Sequence, residues 1–263
     1  MVQEVGFTSH DRGRLRRVVS DVDLRMLGPI EVLDSAGEAL KLPGARPRGL
    51  LALLAVNAPS VISTDAIVEA IWGDEEVAKP EAALHMAISL LRSALGDEVI
   101  ATQPGGYRLE LPSTNTDLSR FRTHIHRGQQ LQTLGHPNAA CESYRQGLAQ
   151  WRGPALTDLR QFDFAERAAA ELEEERIAAV EALMESMLAA GPHAQVDGEL
   201  YGRVATVPYR ERLWQLLMLA LYRSGRQAEA LEVYKDLRTR LGDELGIEPW
   251  PDLADLEERI LLH

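Results

Sequence analysis

The sequence predicts a mainly α-helical protein in two parts: a small α+β domain first, then an all-α array of helical repeats. Three observations carry that reading. Strand-like runs separated by turns occur in the first 111 residues, and the chain after Pro112 reads as almost pure helix. After Pro112 the apolar residues recur at three- and four-residue steps, the period of a helix packed on one face. Within that part, 135-GHPNAACESY-144 and 225-GRQAEALEVY-234 share one pattern, with Gly followed by Ala five on, Glu seven on and Tyr nine on.

Taken in order, residues 1–20 read as a loose basic leader containing Arg12, Arg14, Arg16 and Arg17. The run 22-VDLRMLGPIEVLD-34 predicts two short strands about Gly28-Pro29, and 38-EALKL-42 a third after the turn at Ser35-Ala36-Gly37. An apolar helix follows at 48-RGLLALLAVNA-58, stopped near Asn57 and Pro59. Ser63 or Thr64 caps the next, 65-DAIVEAIWG-73, which Gly73 closes. Pro80 opens a third helix over 81–95, ended by Gly96, because proline suits a first helical position. Then 99-VIATQPGGYRLEL-111 reads as strand, turn, strand. Sheet, three helices and a closing hairpin is the order of an OmpR-type winged helix, assigned here to residues 21–111.

Residues 112–263 predict helices at 117–134, 138–150, 162–190, 194–206, 209–224, 226–241 and 250–262. In the long helix, Leu172, Ile177, Val180, Leu183, Met184 and Met187 form an apolar stripe. Glu171, Glu173, Glu174 and Glu175 read as a solvated face, not a metal site. A fainter third repeat starts at Gly191, with Val196 and Leu200 in the Ala and Tyr places. Gly191 to Gly225 is 34 residues, the tetratricopeptide period. Gly permits the turn, a small Ala lets the second helix approach the first, and Tyr fills the groove. Such repeats bind partners; they do not usually catalyse.

Composition agrees with two folded domains: 45% of the 263 residues are hydrophobic. No apolar run approaches the ~20 residues a bilayer span needs, and the leader has no apolar segment of a secretory signal. The one cysteine, Cys141, excludes an internal disulfide and fits a reducing cytoplasm. It falls at a repeat packing position. The net charge of −12 argues against indiscriminate nucleic-acid binding. Residues 1–111 hold 11 Lys/Arg against 16 Asp/Glu, and residues 112–263 hold 17 against 24, so neither half is basic. No Gly-rich phosphate loop, CxxC pair or HExxH occurs. His124 and His126 are two apart and share no helix face. The expectation is therefore no enzyme, no cofactor and no metal.

Several segments together resemble one family. In the N-terminal part they are 24-LRMLGPIEVLDSAG-37, 49-GLLALLAVNAPSVIST-64, 67-IVEAIWGDE-75 and 104-PGGYRLEL-111. In the C-terminal part they are 151-WRGPAL-156, 209-YRERLWQLLMLALYRSGRQAEALEVYKDLR-238 and 244-ELGIEPWPDLADLEERIL-261. Over residues ~24–262 the chain resembles the SARP (Streptomyces antibiotic regulatory protein) activators, in which such a winged helix joins a bacterial transcriptional activator domain, here 112–263. The resemblance implies a cytoplasmic, nucleoid-associated activator that binds directly repeated promoter sites, often of secondary-metabolite genes. It also implies binding to double-stranded DNA as a homodimer or side-by-side pair, with contacts to RNA polymerase and its sigma factor.

On helix 81–95, Leu84, Ile88, Leu91 and Leu95 should pack inward, while His85, Ser89 and Arg92 form another stripe aimed at a major groove. Arg92 is expected to grip guanine bidentately, with Ser89 and His85 making permissive contacts. Arg46, Arg48, Lys79 and Arg108 complete the set expected to meet DNA. Tyr107 is expected to anchor the hairpin. The chain departs from the family at 88-ISLLRS-93, where relatives usually read Val-Ser-Arg-Leu-Arg-Arg, so Leu90 and Ser93 replace two arginines. Fewer phosphate contacts mean less counterion release and weaker binding. Leu90 is left with either a thymine methyl or a protein surface to touch. The alternative function is a protein-interaction regulator that keeps the fold without reading DNA.

Overall fold

A computed structural model describes residues 22–73, 78–191 and 193–262, with no side chains for 193–197. The basic leader and the side chain of Val196 lie outside the described residues. The chain divides into two compact units: residues up to Arg120 with Trp151–Glu171, and Phe121–Gln150 with the chain from Leu172 onward.

In the first unit, β1 (Val22–Arg25) and β2 (Glu31–Asp34) pair antiparallel, with Leu24 opposite Val32. Val22, Leu24 and Val32 are buried while Asp23 and Arg25 are half-exposed, the alternation of a one-sided sheet. The expected third strand at 38–42 reduces to a single bridge, Leu33 to Ala39. Asp34 accepts the amides of Ala36 and Glu38 and curls the chain locally, and Pro43 and Gly44 (φ 45°) then end any extension. Helix α1 (Ala45–Val56) carries Pro47 in its first turn, where the missing N–H leaves no helical bond unmade. Ser63 accepts the Ala66 amide at 3.2 Å and caps α2 (Thr64–Trp72). Helix α3 is Pro80–Leu95.

Strands β4 (Ile100–Gln103) and β5 (Gly106–Leu109) form the hairpin. A two-residue strand, β3 (Ile62–Ser63), completes a sheet of order β3-β5-β4. It is too short to leave a periodic signal in the sequence. Gly105 supplies the positive φ (79°) that a turn with Pro before it demands. Gly106 has a different reason: a Cβ there would sit 2.0 Å from the Ile62 carbonyl oxygen. Only glycine lets β3 approach β5.

The segment between β1 and β2 has no sheet partner, and distant residues take up its backbone groups. Asp117 is 1% exposed; it accepts the Met26 amide at 2.8 and 2.9 Å and the Leu27 amide at 2.9 Å. Burial holds its carboxyl above the ordinary aspartate range, against the pull of the Leu27 and Met26 amides and of Arg152. The Leu27 carbonyl receives the Arg152 amide, the Gly28 carbonyl receives that of Leu156, and Asp158 accepts the Ile30 amide at 2.9 Å. Trp151–Glu171 therefore packs on the winged-helix unit although it follows it by some 40 residues. A Cβ on Gly49 would meet the Phe162 ring at 2.7 Å, which shows how closely α1 is approached there.

The second unit is built from helical hairpins. Helices α4 (Asp117–Thr133) and α5 (Pro137–Leu148) turn at Gly135 (φ 75°); α8 (Glu211–Arg223) and α9 (Gln227–Leu245) turn at Gly225 (φ 77°). Both turns close by the same bond five residues back, His136 N–H to the Leu131 carbonyl and Arg226 N–H to the Leu221 carbonyl. The repeat residues lie where the pattern puts them: Ala140 and Ala230 are both 0% exposed, Tyr144 is 0% and Tyr234 5%. Gly128 faces the Tyr144 ring, with room for no side chain. Between these hairpins come α6 (Asp163–Ala190) and α7 (His193–Thr206), and α10 (Pro251–Leu261) closes the chain. On α6, Leu172, Val180, Leu183, Met184 and Met187 are buried. Its acidic residues pair with arginines, Glu175 with Arg122 at 2.7 Å and Glu174 with Arg210 at 2.9 Å. Cys141 is buried, and burial raises its thiol pKa. The chain thus has the expected fold class, a winged helix followed by tetratricopeptide-like helices.

Two substitutions test these constraints. Asp117→Ala leaves the Met26, Leu27 and Leu118 amides without that acceptor and should cost about 3 kcal/mol or more in urea unfolding. Gly106→Ala should disrupt the β3–β5 pairing and lower the melting temperature, whereas Gly37→Ala, with open space around it, should cost only its backbone strain.

Candidate nucleic-acid interface

Helix α3 begins at Pro80, directly after the exposed Lys79, and buries Leu84, Ala87, Ile88, Leu91 and Leu95. These positions recur on one side, so the opposite side must face outward. It carries Glu81, Ala82, His85, Met86, Ser89, Leu90 and Ser93, all exposed. His85 and Ser89 are thus where the sequence stripe puts them. Met86 was not anticipated, yet it is 64% exposed, and Leu90 is 42% exposed. The signal for Met86 was present: it lies two positions past Leu84 and four before Leu90, off the buried stripe on both counts.

Arg92 is set apart from this face. Its guanidinium donates from Nε and Nη2 to the Ile100 carbonyl at 3.1 and 2.6 Å, and from Nη2 to Thr102 Oγ1 at 3.0 Å. Strand β4 is an edge of its sheet, and Arg92 ties that edge to α3. Hydrogen bonds from a charged donor are about twice as strong as neutral ones, so this group is firmly held. Thr102, on the hairpin, is the partner that sequence reasoning missed.

The other expected arginines are also engaged. Arg108 on β5 donates from Nε to Glu110 Oε1 at 3.0 Å and forms an ion pair with it. Tyr107, beside it, is 7% exposed and anchors the hairpin as expected. Arg48 forms an ion pair with Asp158, 110 residues away. The Arg46 guanidinium lies over the Trp72 ring, 5.9 Å from its centroid. Thus Lys79, His85, Ser89 and Arg92 come together on or beside α3, with Arg108 on the adjoining hairpin. Arg46 and Arg48 are turned to Trp72 and Asp158. The exposed side of α3 offers hydroxyls, an imidazole and two apolar side chains. Its single charged residue is Glu81.

Residues 38–109 match the family described as transcriptional regulatory protein, C terminal, and residues 116–261 match the bacterial transcriptional activator domain. Regulatory protein DnrI of Streptomyces peucetius is 35% identical over 251 residues, covering 91% of this chain and 92% of that protein. Transcriptional regulatory protein EmbR of Mycobacterium tuberculosis is 36% identical over 248 residues, and 91% of this chain aligns with 63% of EmbR. The chain thus spans somewhat under two thirds of that relative's length. Regulatory protein AfsR of Streptomyces coelicolor is 36% identical over 237 residues, 24% of its own length. The solved structure of EmbR from M. tuberculosis with a low-affinity phosphopeptide superposes with a TM-score of 0.89 at 35% identity, covering 92% of this chain and 65% of that one. With both domain matches in order and relatives of this similarity over nine tenths of its length, the chain belongs to the SARP family of transcriptional regulators.

Proposed function

We propose that this protein is a sequence-specific DNA-binding transcriptional activator. Residues 21–111 meet the promoter, with α3 in the major groove and the β4–β5 hairpin at the backbone. Residues 112–263 serve assembly and contacts to the transcription machinery. The observation that carries this reading is the outward face of α3, with His85 and Ser89 exposed one turn apart and Lys79 at the helix start. The positive end of the helix dipole and Lys79 both favour a phosphate there. Most other described arginines of the unit already have partners, so one subunit is expected to hold DNA weakly. Directly repeated sites filled by side-by-side copies then supply affinity through effective concentration. RNA polymerase and sigma contacts, and control of secondary-metabolite genes, belong to the same proposal, supported by the likeness to the SARP regulators.

A second reading, a protein-interaction regulator that does not read DNA, is favoured by one observation: Met86 and Leu90 are exposed apolar side chains on α3, Leu90 at a position where the family usually has arginine. Titration of the full chain against promoter duplexes at two salt concentrations separates the readings. As an activator, the native chain binds some duplexes specifically, with a shallow slope of log affinity against log salt, about −3 or smaller in magnitude per subunit. Lys79→Ala should weaken all sequences alike and flatten the slope by about 1. The double variant Leu90→Arg, Ser93→Arg should bind more tightly and steepen the slope by about 2. Binding that appears only in the double variant would establish the second reading.

A further inference from the structure

We propose that α3 reads thymine methyl groups, with Met86 and Leu90 as the residues that determine specificity. The inference rests on the DNA-binding reading and names what that site selects. Met86 and Leu90 stand one helical turn apart on the exposed side of α3, at 64% and 42% exposure, opposite the buried Leu84, Ile88 and Leu91. In the major groove only thymine presents an apolar group, its 5-methyl; guanine and adenine present acceptors and donors. An apolar side chain over guanine O6 and N7 would desolvate both without pairing either. Over a thymine methyl it removes apolar surface from water on both sides.

The arginine that would favour guanine is withdrawn, because Arg92 is anchored to Ile100 and Thr102 of β4. Ser89 and His85 lie between and beside the apolar pair and are free to hydrogen-bond base edges. A protein surface is the poorer occupant. A stable protein interface buries about 800 Å² per partner around a large apolar centre, whereas this face has two large apolar side chains set among His85, Ser89 and Ser93. Apolar groups alternating with hydroxyls and an imidazole match the alternation of methyls and polar edges along T·A-containing steps.

The test uses the full chain and a random duplex library. After selection, each thymidine of the enriched site is replaced singly by deoxyuridine, which pairs identically and lacks only the methyl. One or two replacements should weaken native binding about three- to fivefold, the effect of one buried methyl-sized group. Leu90→Ala should abolish the sensitivity at one of those positions and Met86→Ala at another. Both residues are exposed, so circular dichroism should show helix content unchanged. An enriched site indifferent to every uracil replacement overturns the methyl contact while leaving DNA binding in place. A site built on guanines whose recognition is lost in Arg92→Ala overturns it too. Failure to enrich any sequence overturns the DNA reading itself, and binding unaffected by Leu90→Glu gives this face to a protein partner.

Discussion

Backbone groups that no strand or helix satisfies must be paired by side chains, and this requirement organises the winged-helix unit. The segment Met26–Ile30 lies between two paired strands without joining either ladder. Its amides go to the carboxylates of Asp117 and Asp158, and its carbonyls to the amides of Arg152 and Leu156. A buried amide left unpaired costs about as much as a typical destabilising mutation, so these contacts are obligatory for this chain path. The same demand acts at the free edge of β4, where Arg92 takes the Ile100 carbonyl. Arginines that sequence alone would send to DNA have partners within the fold.

That commitment changes the character of the surface left over. Arg48 is paired with Asp158, Arg108 with Glu110, and Arg46 lies on Trp72. What α3 presents outward is close to neutral: hydroxyls, one imidazole, two apolar side chains and a glutamate. On the proposed DNA-binding reading, affinity from counterion release is correspondingly small, and discrimination shifts from bidentate guanine contacts toward shape and methyl groups. The acidic remainder of the molecule does not forbid binding. At physiological salt, exposed charges more than about 8 Å away are largely screened.

Features fixed by local chemistry were legible in the sequence. The Gly–Ala–Tyr spacing placed both hairpin turns and their buried tyrosines, because a turn needing positive φ and a tight helix approach select residue types within ten positions. The helix starts at Pro80 and Ser63 and the inward face of α3 were legible for the same reason. Features fixed across the chain were not. Nothing near Arg48 signals Asp158, and nothing near Arg92 distinguishes a carbonyl partner on β4 from a guanine. The strand Ile62–Ser63 is shorter than any repeat of its own period, and 38–42 has the composition of a strand but a competing Asp34 turn. The exposure of Met86 was legible too, since it lies four residues before Leu90 and off the stripe of Leu84, Ile88 and Leu91.

Arg92 is held by Ile100 and Thr102 of β4 and set apart from the proposed base-reading side of α3. Nitrogen-15 NMR of arginine side chains, on the full chain with and without a selected duplex, addresses this placement most directly. The Arg92 Nε–H is expected to be protected from exchange in the free protein, with unchanged shift and protection when DNA is added. An Arg92 signal that exchanges freely without DNA, or moves on binding to report a new acceptor, would contradict it.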